Sequence, residues 1–197
     1  MKSEPQREHR WLDKLLGDWT YETECIMGPD QVSMKTAGRE TVRSLGGLWV
    51  ICEAEGSLPD GAISQTVITL GYDPAKKRFL GTFVASMMSS LWVYDGALDE
   101  SERLLTLDCE GPSFSGEGIS KYQDIVECVS NDHRIMRSQL LGPDGKWIQF
   151  MVPLPAQELI EITRRMSPRI RELSPGLGRS TPTRHRVAAP GSPRARF

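Results

Sequence analysis

HRWLDKLLGDWTYETEC, residues 9 to 25, changes its period at one residue. Before Gly17, the apolar residues Trp11, Leu12, Leu15 and Leu16 recur at helical spacing, which gives a short segment one apolar face. After it, Trp19, Tyr21, Thr23 and Cys25 alternate with Asp18, Thr20, Glu22 and Glu24, the period of a strand with one face on a core. Gly17 suits the stop of the helix. A helix this short can plug one end of a closed sheet, with Trp19 packing across the base beneath it. His9 is read as preceding that helix, and not as a ligand.

The alternation continues to Val152. Ten stretches read as strands: DWTYETECIM, GRETVRSL, LWVICEAEGS, ISQTVITLGYD, KRFLGTFVAS, LWVYDGAL, RLLTLDCEG, KYQDIVECVS, RIMRSQLLG and KWIQFMV. Gly46-Gly47, Pro59-Asp60-Gly61, Asp73-Pro74, Asn131-Asp132 and Gly142-Pro143-Asp144-Gly145 separate them with turn chemistry. No segment between strands has the length of a crossover helix, so parallel units are excluded and an antiparallel meander remains. Closing such a meander into a barrel removes its exposed edges. The expected fold is all-β: an antiparallel up-and-down barrel of about ten strands with a short N-terminal plug helix.

The 197 residues suffice for one domain with a sizeable core. Hydrophobic (39%) and charged (25%) fractions are ordinary, and no apolar run reaches the roughly 18 residues of a membrane span. MKSEPQREHR has no apolar stretch of a secretory signal behind it, so a soluble, cytoplasmic protein without membrane contact is expected. The formal net charge of -2 is unevenly spread. From Pro153 onward stand nine Arg and three Glu, net +6; the rest carries 15 basic and 23 acidic residues, net -8. Residues 1–8 are read as an arm, 9–152 as the barrel, 153–173 as a candidate helix and 174–197 as a disordered basic tail rich in Pro and Arg. Without interleaved aromatics that tail is a poor nucleic-acid platform.

Helix, Gly-x-Trp and an up-and-down barrel together resemble the lipocalin-like, or calycin, arrangement. HRWLDKLLGDWTYETE, GRETVRSLGGLWVICEAEG, TLGYDPAKKRFLGTFVASMMSSLWVYDGALD and LLTLDCEGPSF, in that order, resemble the bacterial family called domain of unknown function 1579. The likeness runs from about His9 to about Met151. It implies a lipocalin-like barrel of roughly 140 to 160 residues and no established activity. The last strand, FMVPLPAQELIEITRR, departs from the family's ending, which bears on how the barrel closes.

Candidate site residues fall into two groups. Met and aromatic side chains make an adaptable apolar lining, so Trp49, Phe83, Met87, Met88, Leu91, Trp92, Tyr94 and Met151 are the candidate ligand pocket, with core packing as the alternative. Glu40, Glu53, Glu55 and His133 are a candidate polar pocket, since carboxylates in different environments can divide acid and base roles. Alternation sets Glu53 and Glu55 opposite Val50, Cys52 and Ala54, which favours the outer face for them. His133 lies in a turn; some calycins hold haem through one His, but no second ligand accompanies it here. Ser86, Ser89 and Ser90 lack a nucleophile elbow, and no catalytic residue is assigned. Cys25, Cys52, Cys109 and Cys128 show neither metal-ligand nor redox spacing and read as thiols, and alternation sets Cys25, Cys52 and Cys109 in core positions. No metal or cofactor is expected. The resulting reading is a binding module for a small hydrophobic or amphipathic ligand. The alternatives are an enzyme using carboxylates at the barrel mouth, or a structural protein such as a homodimer.

Overall fold

Gly17 takes φ +122°, a region that side chains with a Cβ rarely enter, and there the chain passes from helix to strand. The computed structural model describes residues 3–26, 33–58 and 60–153. Helix α1, Arg7–Trp11, continues into one 3-10 turn, Leu12–Leu15. It begins at Arg7, four residues before Trp11, where the apolar spacing starts, and so includes His9. The Gln6 backbone N–H donates to His9 Nδ1 at 3.0 Å, and that capping contact extends the helix toward the N-terminus.

Ten strands follow: β1 (Gly17–Cys25), β2 (Met34–Leu45), β3 (Trp49–Ser57), β4 (Ile63–Asp73), β5 (Arg78–Ala85), β6 (Trp92–Leu98), β7 (Leu104–Pro112), β8 (Ile119–Cys128), β9 (Arg134–Leu141) and β10 (Trp147–Pro153). Each pairs antiparallel with its neighbours in sequence, and β10 returns to β1 to complete a closed barrel. The closing seam is short, Thr23↔Pro153 to Cys25↔Met151, yet it forms despite the unusual sequence at the end of β10. The candidate helix of 153–173, apart from its first residue in β10, and the tail of 174–197 lie outside the described residues.

The helical segment covers the end where β2–β3, β4–β5, β6–β7 and β8–β9 turn. Trp11 Nε1 donates to the Glu102 carbonyl at 2.8 Å, Trp19 Nε1 to the Leu15 carbonyl at 2.9 Å, and the His9 ring meets Tyr72 edge-on at 5.6 Å. Trp11, Leu12, Leu15, Val42, Val50, Leu70, Phe79, Leu105 and Leu107 are all buried around it. Each such large apolar side chain contributes about 1.5–3 kcal/mol by leaving water, so this end is where the barrel's stability is concentrated.

Candidate functional site

Residues paired across strands point to the same side of the sheet, so the register traces what faces inward. One inward row, Tyr72–Phe79–Gly96–Leu107–Asp124–Ser138–Met151–Cys25–Met34, crosses nine strands. Phe79, Gly96 and Leu107, at the helical end of the row, are buried, whereas Met151, Cys25 and Met34 at its other end retain solvent contact. A second row, Val42–Cys52–Ile68–Phe83–Trp92, passes in the same way from buried to partly buried. At the end opposite the helix, inward-facing side chains thus keep accessible surface that those beneath the helix have lost.

At that end the inner surface is aromatic on β6, β8 and β10. Trp92 and Tyr122 meet edge-on at 5.0 Å, Phe114 meets Tyr122 at 5.5 Å, and Phe114 meets Phe150 at 5.0 Å. Gly111 on the intervening β7 permits this: a Cβ there would lie 2.2 Å from the Trp92 ring. The Trp92 indole N–H is buried there without a hydrogen-bond partner among the described residues, a condition uncommon in native structures.

Two residues deeper on the same strands, Tyr94 donates its hydroxyl proton to Asp124 Oδ2, and Ser138 Oγ donates to Asp124 Oδ1. Burial raises the Asp124 carboxyl above its ordinary range, partly opposed by these two hydroxyls. Burial and the neighbouring Asp124 together push the Tyr94 phenol well up. Cys52 and Cys109 flank the cluster, and burial drives both thiols up to about 12, so neither is a thiolate at neutral pH. From the helical end, the Arg134 guanidinium lies 4.5 Å over the Trp19 ring and pairs with Glu40. Burial lowers Arg134 to about 10, so it stays charged at neutral pH.

The structure divides the sequence-derived candidates by place. Phe83, Trp92, Tyr94 and Met151 face inward, and Tyr94 is fully buried. Met87, Met88 and Leu91 sit exposed in the β5–β6 connection at the mouth, above Phe83 and Trp92. Trp49 is corrected to the outer face, where it lies across Gly71 and is 39% exposed. Glu53 and Glu55 are likewise outside, held by Arg43 and Gln65. Their phase on β3, opposite buried Val50 and Cys52, requires it. His133 is exposed in the β8–β9 turn at the plugged end, away from the mouth. Of the polar candidates, only Glu40 turns inward. Asp124, Ser138 and Arg134 were missed, although each stands in the apolar phase of its strand, Asp124 between Tyr122 and Val126 and Arg134 two residues before Met136.

Among the described residues no group of His, Cys, Asp and Glu is arranged to hold a metal ion, and no helix is long and apolar enough to cross a membrane. No curated protein matches the chain. A family model matches residues 4–153, the helix and all ten strands, and the chain therefore belongs to the family described as protein of unknown function (DUF1579).

Proposed function

We propose that the protein binds a small hydrophobic or amphipathic molecule inside the barrel, admitted at the end opposite the helix. The observation that carries this is the loss of burial along the inward rows: Phe79 and Leu107 are 2% exposed, while Phe83, Trp92, Phe150 and Met151 on the same inner surface remain accessible. A barrel filled by its own side chains would bury them all. The mouth supports the reading, since Met87 (52% exposed) and Leu91 (60% exposed) surround it with flexible apolar groups, a composition suited to admitting an apolar molecule. Below them the wall offers ring faces, and the interior ends in the Tyr94–Asp124–Ser138 and Glu40–Arg134 groups, which suit a polar head.

The test is native mass spectrometry of the protein purified from cells, beside the same sample denatured, followed by titration with decanol under tryptophan emission. A bound mass lost on denaturation, or a saturable emission change with one site, is expected. A clean protein mass together with a flat titration overturns the reading.

A further inference from the structure

The outer wall of β3 to β6 carries an uncharged, largely apolar face, and we propose that a second copy of this chain covers it, in a two-fold dimer that does not depend on any ligand inside the barrel. Residues paired across strands share a side of the sheet, so the register traces this face as it traces the interior. One outward row runs Ile51–Thr69–Thr82–Val93, and the next, toward the open end, continues from Glu53 to Val67 and Val84. Toward the plugged end, Trp49 lies across Gly71, whose missing side chain makes its seat. Val93 is 59% exposed, Val84 42% and Trp49 39%, and no charged residue stands between Ile51 and Val93 in their row. Single exposed apolar residues are ordinary on a protein surface; a contiguous group with charges at its rim marks a contact surface.

The make-up of the face suits its own copy. Its two hydroxyls satisfy one another: Thr69 Oγ1 and Thr82 Oγ1 lie 2.7 Å apart, and the Thr82 N–H donates to Thr69 Oγ1 at 3.2 Å. Covering them therefore strands neither hydroxyl. Charges stand at the edges, Arg43 with Glu53 on the β2–β3 side and Arg78 with Asp95 on the β5–β6 side. A two-fold axis lying in the contact plane and along the strands sets the β3 edge of one copy over the β6 edge of the other. Each edge offers an arginine and a carboxylate, so cation meets carboxylate on both sides and the pattern is complementary to itself. An anionic membrane would find no basic excess here. With strands about 4.8 Å apart and outward rows about 6.7 Å apart, four strands and three rows cover on the order of 400 Å². A stable dimer takes about 800 Å² from each partner, so the charged edges belong to the interface along with the apolar centre.

Analytical ultracentrifugation of the full chain is expected to show a dimer with a Kd below about 1 µM. Val93→Lys and Val84→Lys each place an ammonium in the contact and should each weaken the dimer at least about tenfold. Far-ultraviolet circular dichroism should stay unchanged, because both side chains stand in solvent in the single copy. Met88→Glu, at the mouth, should leave the dimer intact. A natural protein that is monomeric at about 100 µM overturns the proposal, and its flotation with phosphatidylcholine vesicles would then assign the face to a membrane. A dimer that both lysine variants leave unchanged, or that Met88→Glu dissociates, overturns it by placing the contact elsewhere. Should neither lysine variant fold, Arg43→Glu at the exposed β2–β3 edge reads the same contact, and an unaltered dimer there overturns the proposal.

Discussion

The two ends of this barrel are made from the same strands and do different work. At the helical end, Trp11, Leu12 and Leu15 close over Val50, Leu70, Phe79, Leu105 and Leu107, and every one is at most 4% exposed. At the other end, the inner surface is equally rich in large side chains, but Trp92, Tyr122, Phe114 and Phe150 meet mainly at ring edges, and Phe83, Trp92, Phe114 and Phe150 keep accessible surface. The surface follows the same division: of the thirteen exposed large hydrophobics among the described residues, Leu45, Trp49 and Val129 are at the plugged end, and the other ten lie toward the open one. Composition does not distinguish the buried inner surface from the accessible one here. The helix does, because it fills one end and nothing equivalent among the described residues fills the other.

The sharpest way to break that contrast is to truncate one side chain at each end. Trp11→Ala is expected to cost about 3–5 kcal/mol in urea unfolding, the range for removing a fully buried aromatic. Phe83→Ala should cost less than half as much, because its partners already leave space. Equal losses would mean that the open end is packed after all. Next in size is Glu40→Ala, which strands the Arg134 guanidinium in a partly buried position and should cost about 2 kcal/mol, measured the same way. Gly111→Ala forces the Trp92 ring to move, because the new Cβ would overlap it. A cost of about 1–2 kcal/mol is expected, and a change in near-ultraviolet circular dichroism should report the displaced indole.

Acidity gives a subtler contrast. Asp124 has a raised pKa in the folded protein, so the native state takes up its proton before the unfolded chain does. Its contribution to stability is therefore fully present below the ordinary carboxyl value of 3.8 and is lost as pH rises through the higher folded value. The natural protein should gain stability relative to Asp124→Asn between pH 7 and pH 4, read as the difference in their urea midpoints. A constant difference would place Asp124 in contact with bulk water. Smallest in stability is Met88→Glu at the mouth. It should change unfolding by no more than about 0.5 kcal/mol while weakening decanol binding severalfold. A large stability loss would show Met88 to be part of the core.

The candidate site was legible in the sequence only in part. Phase on the strands was enough to set Glu53 and Glu55 outside, since each alternates with buried residues of β3. Trp49 defied the same reading because size and apolarity suggested an interior that its phase did not allow; its ring is satisfied instead by lying across Gly71 on the neighbouring strand. Asp124 and Arg134 show the converse. Each is a charged residue in an apolar phase, a visible signal, but its meaning depends on Tyr94, Ser138, Glu40 and Trp19, residues at least 14 positions away in the chain. The helix start was missed for a local reason, the capping contact of Gln6 with His9, which apolar spacing does not register.

Alternation, turn residues and the period change at Gly17 determined by themselves that this chain makes ten antiparallel strands behind a short helix, because backbone geometry ties side-chain direction to sequence parity. Only the tertiary structure decided that β10 closes on β1, that the helix fills one end alone, and that Asp124 meets two hydroxyls and no cation. Those outcomes depend on strand tilt and register summed around the whole barrel, which bring together side chains that no local pattern relates.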